Sequence, residues 1–182
     1  MSQHVILVSG PPGAGKTAVA EALCERFDRM LHIEVDTLRH MVRAGYRHPW
    51  AGDAQAAEQL LLAVRNASAM ARESIAMRYA VVIDDIVTAE TAAHYREALR
   101  GIAPPVHLVT LLPSLDVTMA RDAPRRQTRP DRVVALHEQL TREAASGALP
   151  GAVLDTSHDA NAELTADRVQ DVAERGVGLL GL

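Results

Sequence analysis

The chain has 182 residues, enough for one domain with a sizeable core and too few for two comfortable ones, so a single domain over residues 1–182 is expected. A formal charge of −4 removes any whole-molecule case for nucleic-acid binding, and 48% hydrophobic with 23% charged residues is a globular composition, not a disordered one. A single cysteine, Cys24, excludes an internal disulfide.

His4 to Ser9 is a short apolar run with β-branched residues that stops at Gly10, so it reads as a buried strand. Lys16 to about Arg29 has helical spacing, with Val19, Leu23, Cys24 and Phe27 on one face, which makes Cys24 a packing residue. A second strand is expected at His32 to Val35 and a short helix from Asp36 to Ala44, stopped by Gly45. Residues 45–53 form a turn-rich loop that carries the sole tryptophan, Trp50. A long helix follows from Ala54 to Tyr79, then a third strand at Ala80 to Ile83 closed by Asp84 and Asp85. Thr88 caps a helix running to Arg100, Val106 to Leu112 is a fourth strand, and Ser114 caps a short helix reaching Arg121. After a polar, proline-broken stretch at 122–130, Asp131 opens a helix to about Ser146. Ala152 to Asp155 is a fifth strand, and Asn161 to Arg175 the last helix. Strands alternating with helices predict a parallel sheet covered on both faces. No apolar run approaches the ~20 residues of a membrane span. The apolar stretch before Gly10 is too short for a signal sequence, so a cytoplasmic protein without membrane partners is expected.

The segment Gly10-Pro11-Pro12-Gly13-Ala14-Gly15-Lys16-Thr17 fits G-x-x-x-x-G-K-[ST], between a buried strand and an amphipathic helix. Glycines at 10, 13 and 15 let the backbone curl so that successive N–H groups, Ala14 included, point at phosphate oxygens. The following helix adds its positive dipole end. Lys16 supplies an ammonium for the β- and γ-phosphates, and the Thr17 hydroxyl can ligate Mg²⁺. ATP and Mg²⁺ are therefore the expected cofactors.

Asp36 follows the second strand, at the edge where a doubly wound sheet opens its ligand crevice. If that strand lies near the first, its carboxylate faces the γ-phosphate region and can take the proton of an attacking hydroxyl. Alternatively it only caps the helix it starts. Arg39 and Arg43 share its helix face and can hold an acceptor. Val81-Val82-Ile83-Asp84 has the shape of a Walker B strand end. One of Asp84 and Asp85 would organise the metal, with Asp84 taken for that task and Asp85 for the acceptor side. No glutamate follows, which argues against a motor. Arg121, Arg125, Arg126, Arg129 and Arg132 surround Pro124 and Pro130; the segment 121–132 reads as a lid over ATP, a solvated loop or a nucleic-acid groove. An aromatic content of 3% offers few platforms for bases, which favours the lid. The histidines show no metal-ligand pairing.

With these boxes in order, the chain resembles the small P-loop kinases grouped with chloramphenicol phosphotransferase, zeta toxin and polynucleotide-kinase-like proteins, an AAA-type ATP-binding family. The resemblance runs through Gly10 to Thr17, Asp36-Thr37-Leu38-Arg39, the strand end at Asp84-Asp85, Arg121-Asp122-Ala123-Pro124-Arg125 and Leu154-Asp155-Thr156-Ser157. It implies the three-layer P-loop nucleoside-triphosphate-hydrolase fold, a five-stranded parallel sheet with a short Arg-rich lid. It also implies Mg-ATP as donor and a hydroxyl acceptor, with Asp36 as the base and Arg39 beside the substrate. Arg121 and Arg125 would act from the lid near adenine and the phosphates, and Thr156 would lie by the base.

The expected activity is transfer of the γ-phosphoryl group to a small molecule such as an antibiotic, sugar or metabolite. Lys16, Asp36 and Arg125 are its catalytic residues. The acceptor is expected among Asp36, Arg39, Arg43, Trp50 and Asp85. Residues 45–53 match no known substrate motif. A kinase for nucleic-acid 5′ ends or nucleotide-sugars and a nucleotide-binding regulatory ATPase are the alternatives, and the expected assembly is a monomer or homodimer.

Overall fold

The central strand β1 (Val5–Ser9) is buried along its whole length, which its unbroken apolar sequence requires. Val5 and Leu7 face one core and Ile6 and Val8 the other, the two-residue alternation of a strand covered on both sides. The computed structural model describes residues 4–124 and 129–181. After β1 come α1 (Lys16–Cys24), β2 (Met30–Glu34), α2 (Val35–His40), α3 (Ala54–Ala76), β3 (Ala80–Asp84) and α4 (Ala89–Ala98). Then follow β4 (Val106–Leu111), α5 (Leu115–Asp122), α6 (Pro130–Ala145), β5 (Ala152–Leu154) and α7 (Ala162–Glu174).

The strands pair in parallel in the order β2-β3-β1-β4-β5. On one face, Val64, Ala67, Ala71, Ala92 and Tyr95 from α3 and α4 pack on Val5, Leu7, Val81 and Ile83. On the other, Val19 and Leu23 of α1 meet Ala166 and Val169 of α7 over Ile6, Val8 and Val109. The three-layer α/β architecture is the one the alternating pattern predicts. Among the described residues β5 pairs only with Val109–Leu111, and the segment after α7 takes the remaining edge of β4. Leu108 donates to the Gly178 carbonyl and Leu180 to that of Val106.

Differences from the sequence reading have local causes. α1 stops at Cys24 instead of about Arg29, because the chain tightens through Arg26 N–H to Leu23 and Phe27 N–H to Cys24 and then feeds β2, paired from Met30 with Ala80. Arg26 fastens this turn to α7 through Asp167 at 2.6 Å and the Glu163 carbonyl at 2.6 Å. α2 ends at His40 instead of Ala44, where Met41 and Val42 bond back three residues. Most important for the site, β3 lies between β1 and β2. The register puts Val8 beside Asp84 and Asp84 beside Glu34, so the P-loop, the acidic end of β3 and the start of α2 emerge at one level of the sheet. Among the described residues, no helix is long and apolar enough to cross a membrane.

Candidate active site

The P-loop turns between β1 and α1 on three glycines with positive φ: Gly10 at 147°, Gly13 at 85° and Gly15 at 90°. They differ in what surrounds them. A Cβ on Gly10 would stand 2.3 Å from the Leu111 carbonyl oxygen, and one on Gly13 2.3 Å from that of Thr118, so both are held against neighbouring backbone. A Cβ on Gly15 would meet nothing within 4 Å; it would project into open space at the mouth of the loop. Gly15 is also the N-cap of α1, and no side chain caps that end. The first N–H groups of α1 are thus presented to whatever fills the space, the arrangement that binds anions. Ala14 is buried and its N–H closes the turn onto Pro11 at 3.1 Å. Ser9 accepts from the Val87 N–H at 2.8 Å, tying the loop's base to the segment after β3.

Lys16 is half-buried, with Nζ 3.3 Å from the Pro11 carbonyl. Thr17 Oγ1 donates to Asp84 Oδ2 at 2.6 Å. Asp84 is only 4% exposed. Burial pushes its carboxyl up, but His32, whose Nε2 lies 3.9 Å away, together with Lys16 and the Thr17 bond, holds it below the usual carboxylate range. An ionised carboxylate and a hydroxyl, both hard oxygen donors beside an anion cradle, fit Mg²⁺, which takes few protein ligands and keeps phosphate and water oxygens. Among the described residues there is no cluster of three or more His, Cys, Asp or Glu of metal-binding geometry, so these oxygens make no closed protein cage.

Asp36 lies in the first turn of α2, and its side chain is 69% exposed. The N-cap of α2 is Glu34, so the capping role is not that of Asp36. β2 is not the neighbour of β1, yet Asp36 shares a cavity with the P-loop. A cavity of about 830 Å³ is lined by Lys16, Thr17, Asp36, Arg39, Trp50, Asp84 and Asp85 together. Arg39 is 8% exposed and donates to Asp85 Oδ1 at 2.8 Å; its Nε is buried with no partner in the described structure. Asp85 also accepts from Tyr95 Oη at 2.9 Å and from the Ile86 N–H at 2.8 Å. Burial pushes the Asp85 carboxyl up, while Arg39, Tyr95 and the Ile86 N–H pull it back. These bonds use both carboxylate oxygens of Asp85 to hold Arg39 at the cavity wall. Arg43 is a correction to the shared-face expectation: α2 ends before it, its side chain is exposed, and it does not line the cavity.

Arg121, at the end of α5, donates to the Thr156 carbonyl at 3.3 Å, which joins two residues expected on the adenine side. Thr156 is 1% exposed and its Oγ1 has no partner in the described structure. Arg125 and the middle of the segment expected to form a lid lie outside the described residues. Past that stretch, Arg129, the N-cap of α6, and Arg132 in its first turn place guanidinium groups 5.6 and 5.3 Å from the Trp50 ring centroid. Rings of the loop 45–53 form a ladder that ends on α2: His48 stacks on Trp50 at 4.3 Å, Tyr46 meets His48 edge-on at 5.1 Å, and His40 stacks on Tyr46 at 5.3 Å. Sequence reasoning passed over this ladder and Tyr95. The rings alternate at 46, 48 and 50, a two-residue spacing that could have flagged an extended aromatic wall. Nothing local marks Tyr95, whose partner comes from another element.

Three solved structures illustrate the similarity. The tunicamycin resistance protein of Deinococcus radiodurans superposes with a TM-score of 0.67 at 20% identity, covering 98% of each chain. Shikimate kinase from Acinetobacter baumannii, in complex with shikimate, gives 0.60 at 20% identity, over 96% of this chain and 94% of that one. The Mycobacterium tuberculosis APS kinase, in complex with AMPPNP and APS, gives 0.64 at 18% identity, over 94% and 98%. At these identities the likeness is one of fold, and the fold is that of the P-loop kinases. No curated protein sequence matches the chain significantly. The AAA domain model matches residues 5–150, which span the P-loop, Asp36, Asp84 and α6, and the chain therefore belongs to the AAA domain family.

Proposed function

We propose that the chain is a P-loop kinase acting as a single domain, moving the γ-phosphoryl group of Mg-ATP to a hydroxyl of a small molecule. The observation that carries this reading is the shared cavity of about 830 Å³. It opens on Lys16 and the Thr17–Asp84 pair at one end and on Asp36, Arg39 and Trp50 at the other. A phosphate cradle alone would suit a switch or a hydrolase. A cradle continuous with a carboxylate, a buried guanidinium and an aromatic wall has room for a second substrate.

In this reading the acceptor oxygen bonds to the γ-phosphorus as the bridge to the β-phosphate breaks, leaving ADP. The hydroxyl proton passes to the Asp36 carboxylate. Lys16 and the N–H groups of Gly13, Gly15, Lys16 and Thr17 meet the charge that spreads over the phosphoryl oxygens, while that of Ala14 closes the turn onto Pro11. Thr17 and Asp84 would hold Mg²⁺, which neutralises the β- and γ-phosphates when bound. Arg39, locked by Asp85, orients the acceptor, and the Tyr46–Trp50 wall covers its other side. Arg121, bonded to Thr156, marks the adenine end. The fold likeness to kinases whose structures hold shikimate, or AMPPNP with APS, is consistent with a small-molecule acceptor.

The test is transfer of label from γ-labelled ATP across a panel of sugars, amino-sugars, nucleosides and aromatic alcohols. Label on one class, reduced about 10²–10⁴-fold by Asp36→Asn, is the expected result. Release of phosphate with no labelled acceptor across the panel would replace the kinase reading with that of a nucleotide hydrolase or switch.

A further inference from the structure

His40 closes α2 and belongs to no motif, yet it is built against Asp36. Its Nδ1 lies 2.8 Å from the Asp36 carbonyl oxygen and 3.5 Å from Asp36 Oδ2. A carbonyl oxygen only accepts, so the proton sits on Nδ1, and that N–H is directed at the residue whose carboxylate it also approaches. The ring is held. Tyr46 stacks on it with 22° between planes, and Tyr46 is itself braced through His48 to Trp50. His40, Tyr46, His48 and Trp50 line the same cavity as Lys16. An ordinary charge pair four residues apart on a helix surface is worth a few tenths of a kcal/mol and needs no ring stack to hold it. Here the pair stands at the point where the acceptor hydroxyl must be deprotonated.

We propose that His40 is a positioning residue for Asp36. Its Nδ1–H, bonded to the Asp36 carbonyl and held beneath the Tyr46 ring, stands 3.5 Å from Oδ2 and draws that oxygen toward the imidazole, which leaves the other oxygen for the acceptor. This rests on the reading of Asp36 as the base. His40 is assigned no proton to carry; the acceptor's proton goes to Asp36 and from there to solvent. The imidazole and the ring ladder thus connect the orientation of the base to the loop that walls the acceptor.

The experiment needs no identified acceptor, since water can take the place of the hydroxyl. Phosphate release from Mg-ATP is measured at steady state for the unaltered protein and for Asp36→Asn, His40→Ala and His40→Asn. His40 is 56% exposed, so its replacement leaves the core untouched. His40→Ala should lower kcat about 10- to 100-fold, as expected for a base displaced by about an ångström, with KM for ATP within about twofold of the original. His40→Asn, whose amide N–H can stand where Nδ1–H stood, should recover most of the loss. Loss of rate in Asp36→Asn with full rate in His40→Ala would overturn the inference and leave the base standing. Equal losses in both His40 variants, or a change confined to KM, would overturn it too. Full rate in Asp36→Asn would remove the base and the inference with it.

Discussion

Thr17 Oγ1 and Asp84 Oδ2, 2.6 Å apart, join the residue after the P-loop lysine to the last residue of β3. The bond is possible because β1 and β3 are neighbours in register, Val8 beside Asp84. Asp84→Asn keeps an oxygen to accept from Thr17 but loses the charge that neighbouring Lys16 and His32 favour. The variant should fold, need more Mg²⁺ for half-maximal rate, and turn over about 10²–10³-fold more slowly at saturation. A magnesium titration of phosphate release checks both points.

The three P-loop glycines should separate folding from binding. Gly13→Ala forces a Cβ to 2.3 Å from the Thr118 carbonyl oxygen, so it should destabilise the protein by about 3 kcal/mol. Gly15→Ala meets no atom, so beyond about 1–2 kcal/mol of positive-φ strain it should leave the fold intact while blocking the cradle. Thermal melting combined with a nucleotide-binding assay distinguishes the two.

Tyr95 lies fully buried in α4 and serves the site through Asp85. Tyr95→Phe removes one donor from a buried carboxylate and should cost about 1–3 kcal/mol, read as a lower denaturant midpoint. Because Asp85 still holds Arg39, turnover should fall less than in Arg39→Ala.

Away from the site, His107 in β4 is 1% exposed, and both its ring nitrogens are buried without a partner in the described structure. Burial pushes its imidazole below the ordinary 6.5, and neighbouring His4 pushes in the same direction. As pH falls below about 6.5 the unfolded chain takes up this proton before the folded one does. Stability is therefore complete above that value and declines beneath it until the folded ring is also protonated. Asp84, whose folded carboxyl is held low, adds a second loss only at lower pH, as it falls below the ordinary 3.8. His107→Leu should raise stability by about 1 kcal/mol at neutral pH and shrink the fall in Tm between about pH 7.5 and about pH 5.5.

Much of this was readable along the chain. The strand at Ala80 to Ile83 and the caps at Thr88 and Ser114 are local signals, and each cap accepts from the N–H three residues on. The P-loop was legible because each of its residues answers a separate backbone or phosphate demand. The place of β3 between β1 and β2 was not, since strand order is decided by how helices pack on the sheet. The hold of Asp85 on Arg39 was not legible, because its buried partners, Arg39 and Tyr95, lie 46 and 10 residues away on other elements. Arg43 looked aligned with Asp36 because nothing local announced that α2 would tighten after His40.

The claim beneath all of these is that residues 10–17 close on a polyphosphate with Lys16 completing the cradle. Calorimetric titration of Mg-AMPPNP into the folded protein and into Lys16→Ala tests it directly. The account predicts saturable binding, weakened about 10- to 100-fold by loss of the ammonium. Absence of binding, or affinity indifferent to the lysine, would contradict it.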